Sequence, residues 1–127
     1  MANMLASARV VAFVPSTDLG RSREFYESVL GLPIASVDGF AVVVESPAGL
    51  IRIVDVGSSL AVQPFTILGW RVGDIDAEVD ALAARGVGFV RFPGMEQDDR
   101  GVWAAPGGAR VAWFRDPDGN TLSLDQQ

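Results

Sequence analysis

The side chains in this sequence that could do chemistry are carboxylates, arginines, hydroxyls and three tryptophans, because histidine, lysine and cysteine are all absent. That absence removes the Schiff-base lysine, the imidazole general base, the thiolate nucleophile and any zinc site built from nitrogen and sulfur ligands. No disulfide can form, so cysteine usage says nothing about redox compartment. Ten basic residues, all arginines, stand against 16 acidic ones, for a net charge of −6. Without a basic cluster such a chain is a poor partner for nucleic acid, whose phosphates need concentrated positive charge.

Arg52 lies in LIRIVDV between Ile51 and Ile53, so strand alternation turns its guanidinium to the opposite face from those aliphatics. A guanidinium among apolar groups needs an anion. Glu45, on the preceding strand, would make that a structural ion pair; otherwise Arg52 anchors a ligand carboxylate or enolate oxygen. The same alternation pairs Val11 and Phe13 on one face against Val10, Ala12 and Val14 on the helix side. It sets Ile67, Gly69 and Arg71 opposite Trp70 and Val72, and Thr121 and Ser123 opposite Leu122 and Leu124. Trp113 alternates with Phe114, so a Phe114 packed under a helix leaves Trp113 facing away from it. Trp103 follows the charged segment Met95-Glu96-Gln97-Asp98-Asp99. That loop reads either as a lid, with Met95 an adaptable apolar contact, or as a solvated surface loop. Phe13, Arg52, Ile67, Met95, Trp103, Trp113 and Ser123 are therefore the candidate ligand-binding residues, and no catalytic residue stands out. Tyr26 has helix-core spacing, while Asp116, Asp118, Gly119 and Asn120 form a tight turn, as do Gly107 and Gly108.

The elements that position these residues repeat. VVAFV (10–14) leads to Asp18 and a helix ending near Leu30; FTILGWRV (65–72) leads to Asp74 and a helix ending near Arg85. Each aspartate is placed to cap the first turn of its helix. Tyr26, Val29 and Leu30, and Ile75, Val79 and Leu82, give each helix one apolar face. Three strands follow each helix: 33–37, 40–45 and 50–56 in the first unit, and 87–92, 110–114 and 120–124 in the second. The chain of 127 residues thus reads as a single domain, residues 1–127, with repeats at about 8–57 and 65–125 joined by a linker at about 58–64. The N-terminus lacks a basic leader, and no apolar run approaches the roughly 20 residues of a membrane helix. A cytoplasmic protein with no membrane partner is the expectation.

The segments FYESVLGLP (25–33), GWRVGDIDAEVDALAARGV (69–87) and AWFRDPDGNTLSL (112–124) resemble the vicinal oxygen chelate superfamily of glyoxalases, bleomycin-resistance proteins and extradiol dioxygenases. The resemblance covers nearly the whole chain. It implies an α+β fold in which two βαβββ repeats pair into a curved mixed sheet around a cavity, and a homodimer. PGMEQDDRGVW (93–103) and APGGARVAWF (105–114) are similar to a subgroup of small bacterial glyoxalase-like proteins. The family's enzymes hold a divalent metal at inward strand positions, which fall here on Val11, Ile67 and Ser123, with a fourth near Arg52. Two aliphatics, a hydroxyl and an arginine are not a divalent-ion donor set. The resulting expectation is a metal-free protein with no cofactor that binds an unidentified small molecule in an aromatic-lined cavity. The alternative is a lyase, isomerase or dioxygenase whose displaced site uses carboxylates such as Glu45, Asp55 or Glu96. A third reading is a dimerising module whose tryptophans are wholly core.

Overall fold

A computed structural model describes residues 4–127, which fall into two compact units divided between Leu60 and Ala61. Each unit carries its own four-stranded mixed sheet and one helix, the α+β repeat expected from the sequence. No described helix is long and apolar enough to cross a membrane.

The first unit contains β1 (Val10–Ser16), α1 (Leu19–Arg23), β2 (Ile34–Val37), β3 (Ala41–Ser46) and β4 (Gly49–Asp55). Its strand order is β1-β4-β3-β2, with β1 parallel to β4 and the other pairs antiparallel. The valine and isoleucine runs favour pleated backbone because their branched side chains pack well on a half-buried sheet. Asp18 caps α1 by accepting the Arg21 amide at 3.0 Å, as the sequence predicts. Beyond Arg23 the helix widens into π turns over Glu24–Val29, and the Leu30 amide donates to the Phe25 carbonyl at 2.9 Å. Tyr26 is wholly buried there and shares the core with Val14, Val42, Val44, Ile51 and Ile53. A hydroxyl pair, Ser16 Oγ and Ser22 Oγ at 2.7 Å, satisfies two buried polar groups between β1 and α1.

The second unit contains β5 (Thr66–Arg71), α2 (Ile75–Ala84), β6 (Trp103–Ala104), β7 (Arg110–Arg115) and β8 (Thr121–Gln126). Its order is β5-β8-β7-β6, with β5 parallel to β8. Asp74 caps α2 through the Ala77 amide at 3.1 Å. Ile75, Val79 and Leu82 bury the inner face of α2, and Ala112, Phe114, Leu122 and Leu124 form the sheet face of the core. Trp70 stacks on Phe114 with ring centroids 6.4 Å apart, so it packs as its parity predicts. The 116–120 turn is knit by Asp116, whose Oδ1 accepts the Asp118 and Asn120 amides at 3.0 Å each and whose Oδ2 accepts from Asn120 Nδ2 at 2.9 Å.

Residues 87–92 are not the strand that their alternation predicts; β6 takes that place with only Trp103–Ala104. The reason lies in one side chain. Gln97 Nε2 donates to the carbonyls of Val90 and Gly101, and its Oε1 accepts the Phe92 amide, each at 2.8 Å. A side-chain amide thereby supplies the donors and acceptor that a neighbouring strand would have given. Arg91 reinforces the arrangement by donating to the carbonyls of Gln97 and Asp98 at 3.3 and 2.6 Å. Asp98 Oδ1 then accepts the Arg100 and Val102 amides at 2.9 Å each. The 93–102 segment is thus a surface loop braced into a wall, with Glu96, Asp99 and Arg100 exposed.

Two expected outcomes follow. Gly49 faces Val10 across the parallel pair, and a Cβ there would run into the Val10 backbone, with its carbonyl carbon at 2.8 Å. Gly49→Ala should cost about 3 kcal/mol, whereas Gly39→Ala, whose Cβ meets nothing within 4 Å, should stay within about 0.5 kcal/mol. Urea midpoints at unchanged slope measure both, and equal losses would refute the close approach. Gln97→Leu strands three backbone groups and should cost about 2–4 kcal/mol; an unchanged midpoint would show that the bracing is dispensable.

Candidate functional site

A helix covers one face of each sheet, and the residues that could bind a ligand lie on the other. In the second unit that face is set by register: Trp113 pairs with Ser123 and Arg115 with Thr121 across β7 and β8, and Gly69 pairs with Ser123 and Arg71 with Asp125 across β5 and β8. Phe114 is fully buried under α2, which leaves Trp113 half-buried on the opposite side. A bulge between Thr66 and Leu68 brings Thr66 into register with Thr121 on that same face. The Trp113 indole Nε1 donates to Thr66 Oγ1 at 3.1 Å. Phe92 meets Trp113 edge-on at 5.2 Å and 89°, and Trp103 lies against it at 6.1 Å and 34°. The indole is thus held at its edge and on its flank, which fixes its orientation.

Around it opens a cleft of about 250 Å³ lined by Phe65, Thr66, Phe92, Met95, Trp113 and Thr121, together with Pro64. None of these residues is ionisable. Arg71 and Asp125, on the same face, pair at 2.9 Å, and that hydrogen bond holds the Asp125 carboxyl below the usual carboxylate range; the exposed Arg115 stands in register with the lining Thr121. Gly69 matters because a Cβ at this position would overlap the Ser123 hydroxyl and sit 3.3 Å from the Ser123 carbonyl oxygen. A second cleft, about 290 Å³, runs between α2 and the braced wall, over Val79, Ala83, Val87 and Phe89. Of its rim charges, Asp80 pairs with Arg100 at 2.8 Å and Arg91 donates to wall carbonyls, while Asp99 also lines it.

The sequence-derived set is partly assembled. Met95 and Trp113 share the cleft wall, and Trp103 supports Trp113 from behind rather than lining the cleft. Ser123 lies beside the cleft, in register with Trp113. Ile67 falls at the bulge, out of ladder register, and does not line the cleft. Phe13 and Arg52 belong to the first unit, where they are register partners across β1 and β4. Thr66 and Phe92 were missed. A bulge has no local sequence signature here, and Phe92 was read as one residue of a strand that does not form.

In the first unit, Glu45 does not pair with Arg52; it takes Arg9 instead. Arg52 acts by its charge on Asp38. The Phe40 and Ala41 amides hold that carboxyl below its usual range, and Arg52 adds a smaller attraction. The positions that the sequence resemblance assigns to a divalent metal carry Val11, Ile67 and Ser123, with a fourth near Arg52, and these side chains do not fit such an ion. Among the described residues no three histidines, cysteines or carboxylates cluster into an alternative site. Glu45, Asp55 and Glu96 therefore do not converge on a displaced metal centre.

Comparison with solved structures places the fold. An antibiotic-binding protein, TnmS3, from a Streptomyces species shares 23% identity with a TM-score of 0.72, the alignment covering 94% of each chain. Lactoylglutathione lyase from Agrobacterium tumefaciens shares 18% identity at a TM-score of 0.72, covering 94% of this chain and 93% of that one. An integron cassette protein from the Halifax Harbour sewage-outfall metagenome shares 21% at 0.71, covering 94% and 98%. No curated protein matches the sequence. Residues 8–124 match the Glyoxalase/Bleomycin resistance protein/Dioxygenase superfamily, and the chain belongs to that superfamily.

Proposed function

We propose that the second unit binds a small, uncharged, planar organic molecule in the Trp113 cleft, and does so without a metal ion. The observation that carries this reading is the state of Trp113. Its polar edge is already satisfied by Thr66 and its ring is propped by Phe92 and Trp103, so its remaining surface is a rigid apolar wall. Such a wall loses little conformational entropy when a flat ligand packs on it. The hydroxyls of Thr66 and Thr121 are the polar groups in reach for orientation. With no ionisable residue in the lining, an acid–base step has no group to perform it. The superfamily fold hosts both an antibiotic-binding protein and a lyase, so the choice between binding and catalysis rests on these side chains. We also take a second copy of the chain as a partner: Phe40 is 78% exposed and Val37 47%, at one edge of the first sheet, where a monomer gains nothing from large apolar groups.

Three measurements test this. In a Trp70→Phe background, 1-nitronaphthalene should quench tryptophan emission saturably. Met95→Glu, placing a charge in the lining, should weaken the effect by about tenfold. Linear, unsaturable quenching, or an unchanged midpoint in a folded Met95→Glu protein, would sink the cleft reading. Elemental analysis of untagged protein after exposure to Mn, Fe, Ni and Zn should find below about a tenth of an equivalent of each; one equivalent surviving dialysis would overturn the metal-free assignment. Sedimentation at micromolar concentration should show a dimer, and a lone monomer would remove the self-association.

A further inference from the structure

The first unit presents a different problem. Its open sheet face carries Val11, Phe13, Leu50, Arg52 and Val54, the residues that alternate away from the buried Val14, Ile51 and Ile53. Arg52 lies in the middle of this face, level with Phe13 on one side and with the buried Val43 on the other. It is half-buried, yet among the described residues it donates no hydrogen bond and forms no ion pair. No acid on β3, β4 or the β2–β3 turn forms an ion pair with it, although its charge reaches Asp38. Glu45 pairs with Arg9. Asp38 Oδ1 accepts the Phe40 and Ala41 amides at 2.7 and 2.9 Å. Asp55 Oδ1 accepts the Gly57 amide at 2.9 Å. Arg52 thus sits centrally on this face with no ion-pair partner among the described residues, in a chain with six more acids than bases.

A half-desolvated guanidinium gains most from a planar anion that meets its fork with two oxygens. Beside it the Phe13 ring is 65% exposed, a flat apolar surface in register with the charge. We infer that this face is a carboxylate site: Arg52 holds the carboxylate of a small aromatic monoacid while Phe13 and Val11 take its ring. A monoanion suits the site better than a phosphate dianion, because one guanidinium faces it and the protein's net charge repels additional negative charge. The inference goes beyond the Trp113 cleft and does not depend on it, since every residue it uses belongs to the first unit.

The test uses benzoate against its neutral isostere benzamide, followed by amide chemical shifts of the ¹⁵N-labelled full chain. Benzoate should shift the Val11, Phe13, Val43 and Arg52 amides saturably and bind about tenfold more tightly than benzamide. Arg52→Gln should abolish that preference, while Arg85→Gln, remote in sequence and on the other unit, should leave it intact. Equal binding of benzoate and benzamide to the unsubstituted protein, or shifts confined to residues 61–127, would overturn the assignment whether or not the Arg52 variant folds. So would a folded Arg52→Gln protein that keeps the preference.

Discussion

A single helix laid on a four-stranded sheet can shield one face only, since a helix with its side chains is about 10 Å across and four strands span more than that. Each unit of this chain is built on that constraint. The helix side is a dry layer of Val14, Ile51, Ile53 and Tyr26 in one unit and of Ile75, Val79, Phe114 and Leu122 in the other. The face turned away from the helix is left for other uses, and the side chains that could recognise a ligand stand on it. Function in this fold is decided by which residues occupy those alternate positions.

In the second unit the open face is shaped by a substitution of hydrogen-bonding partners. Where a longer ladder would have run, the Gln97 amide binds the backbone at Val90, Phe92 and Gly101. Phe92 and Met95 are thereby delivered to the edge of Trp113. Ion pairs secure the same wall from outside: Arg110 bridges Asp76 of α2 and Asp98, at 2.8 and 3.6 Å, and Arg100 holds Asp80. These pairs are solvent-exposed, so their worth is in placement more than in stability. They keep the carboxyls of Asp76 and Asp80 below the usual range through the hydrogen bonds from Arg110 and Arg100. Any stability they add is therefore present above the ordinary aspartate value and lost as acid carries the pH through the lowered folded values.

Family membership by itself does not say which chemistry a member performs. The superfamily match spans residues 8–124, and the positions that the resemblance assigns to a divalent ion carry aliphatics, a hydroxyl and a guanidinium. The two units furnish their open faces differently, one with an aromatic cluster around Trp113, the other with aliphatics and Phe13 around Arg52.

The sequence by itself determined whatever depends on neighbours within a few residues: the caps at Asp18 and Asp74, the Asp116 turn, the inward and outward parity of β1, β4, β7 and β8, and the absence of imidazole and thiolate ligands. These follow from backbone geometry and side-chain chemistry, which act at short range. Tertiary structure alone decided the rest. Arg9 lies 36 positions from Glu45 and took the carboxylate that local reading offered to Arg52. Thr66 lies 47 positions from Trp113 and reaches it only because a bulge shifts the register of β5. Gln97 ended the 87–92 strand because its amide could reach those carbonyls in three dimensions, and no periodicity along the chain records which side chain will arrive first at an unpaired backbone group.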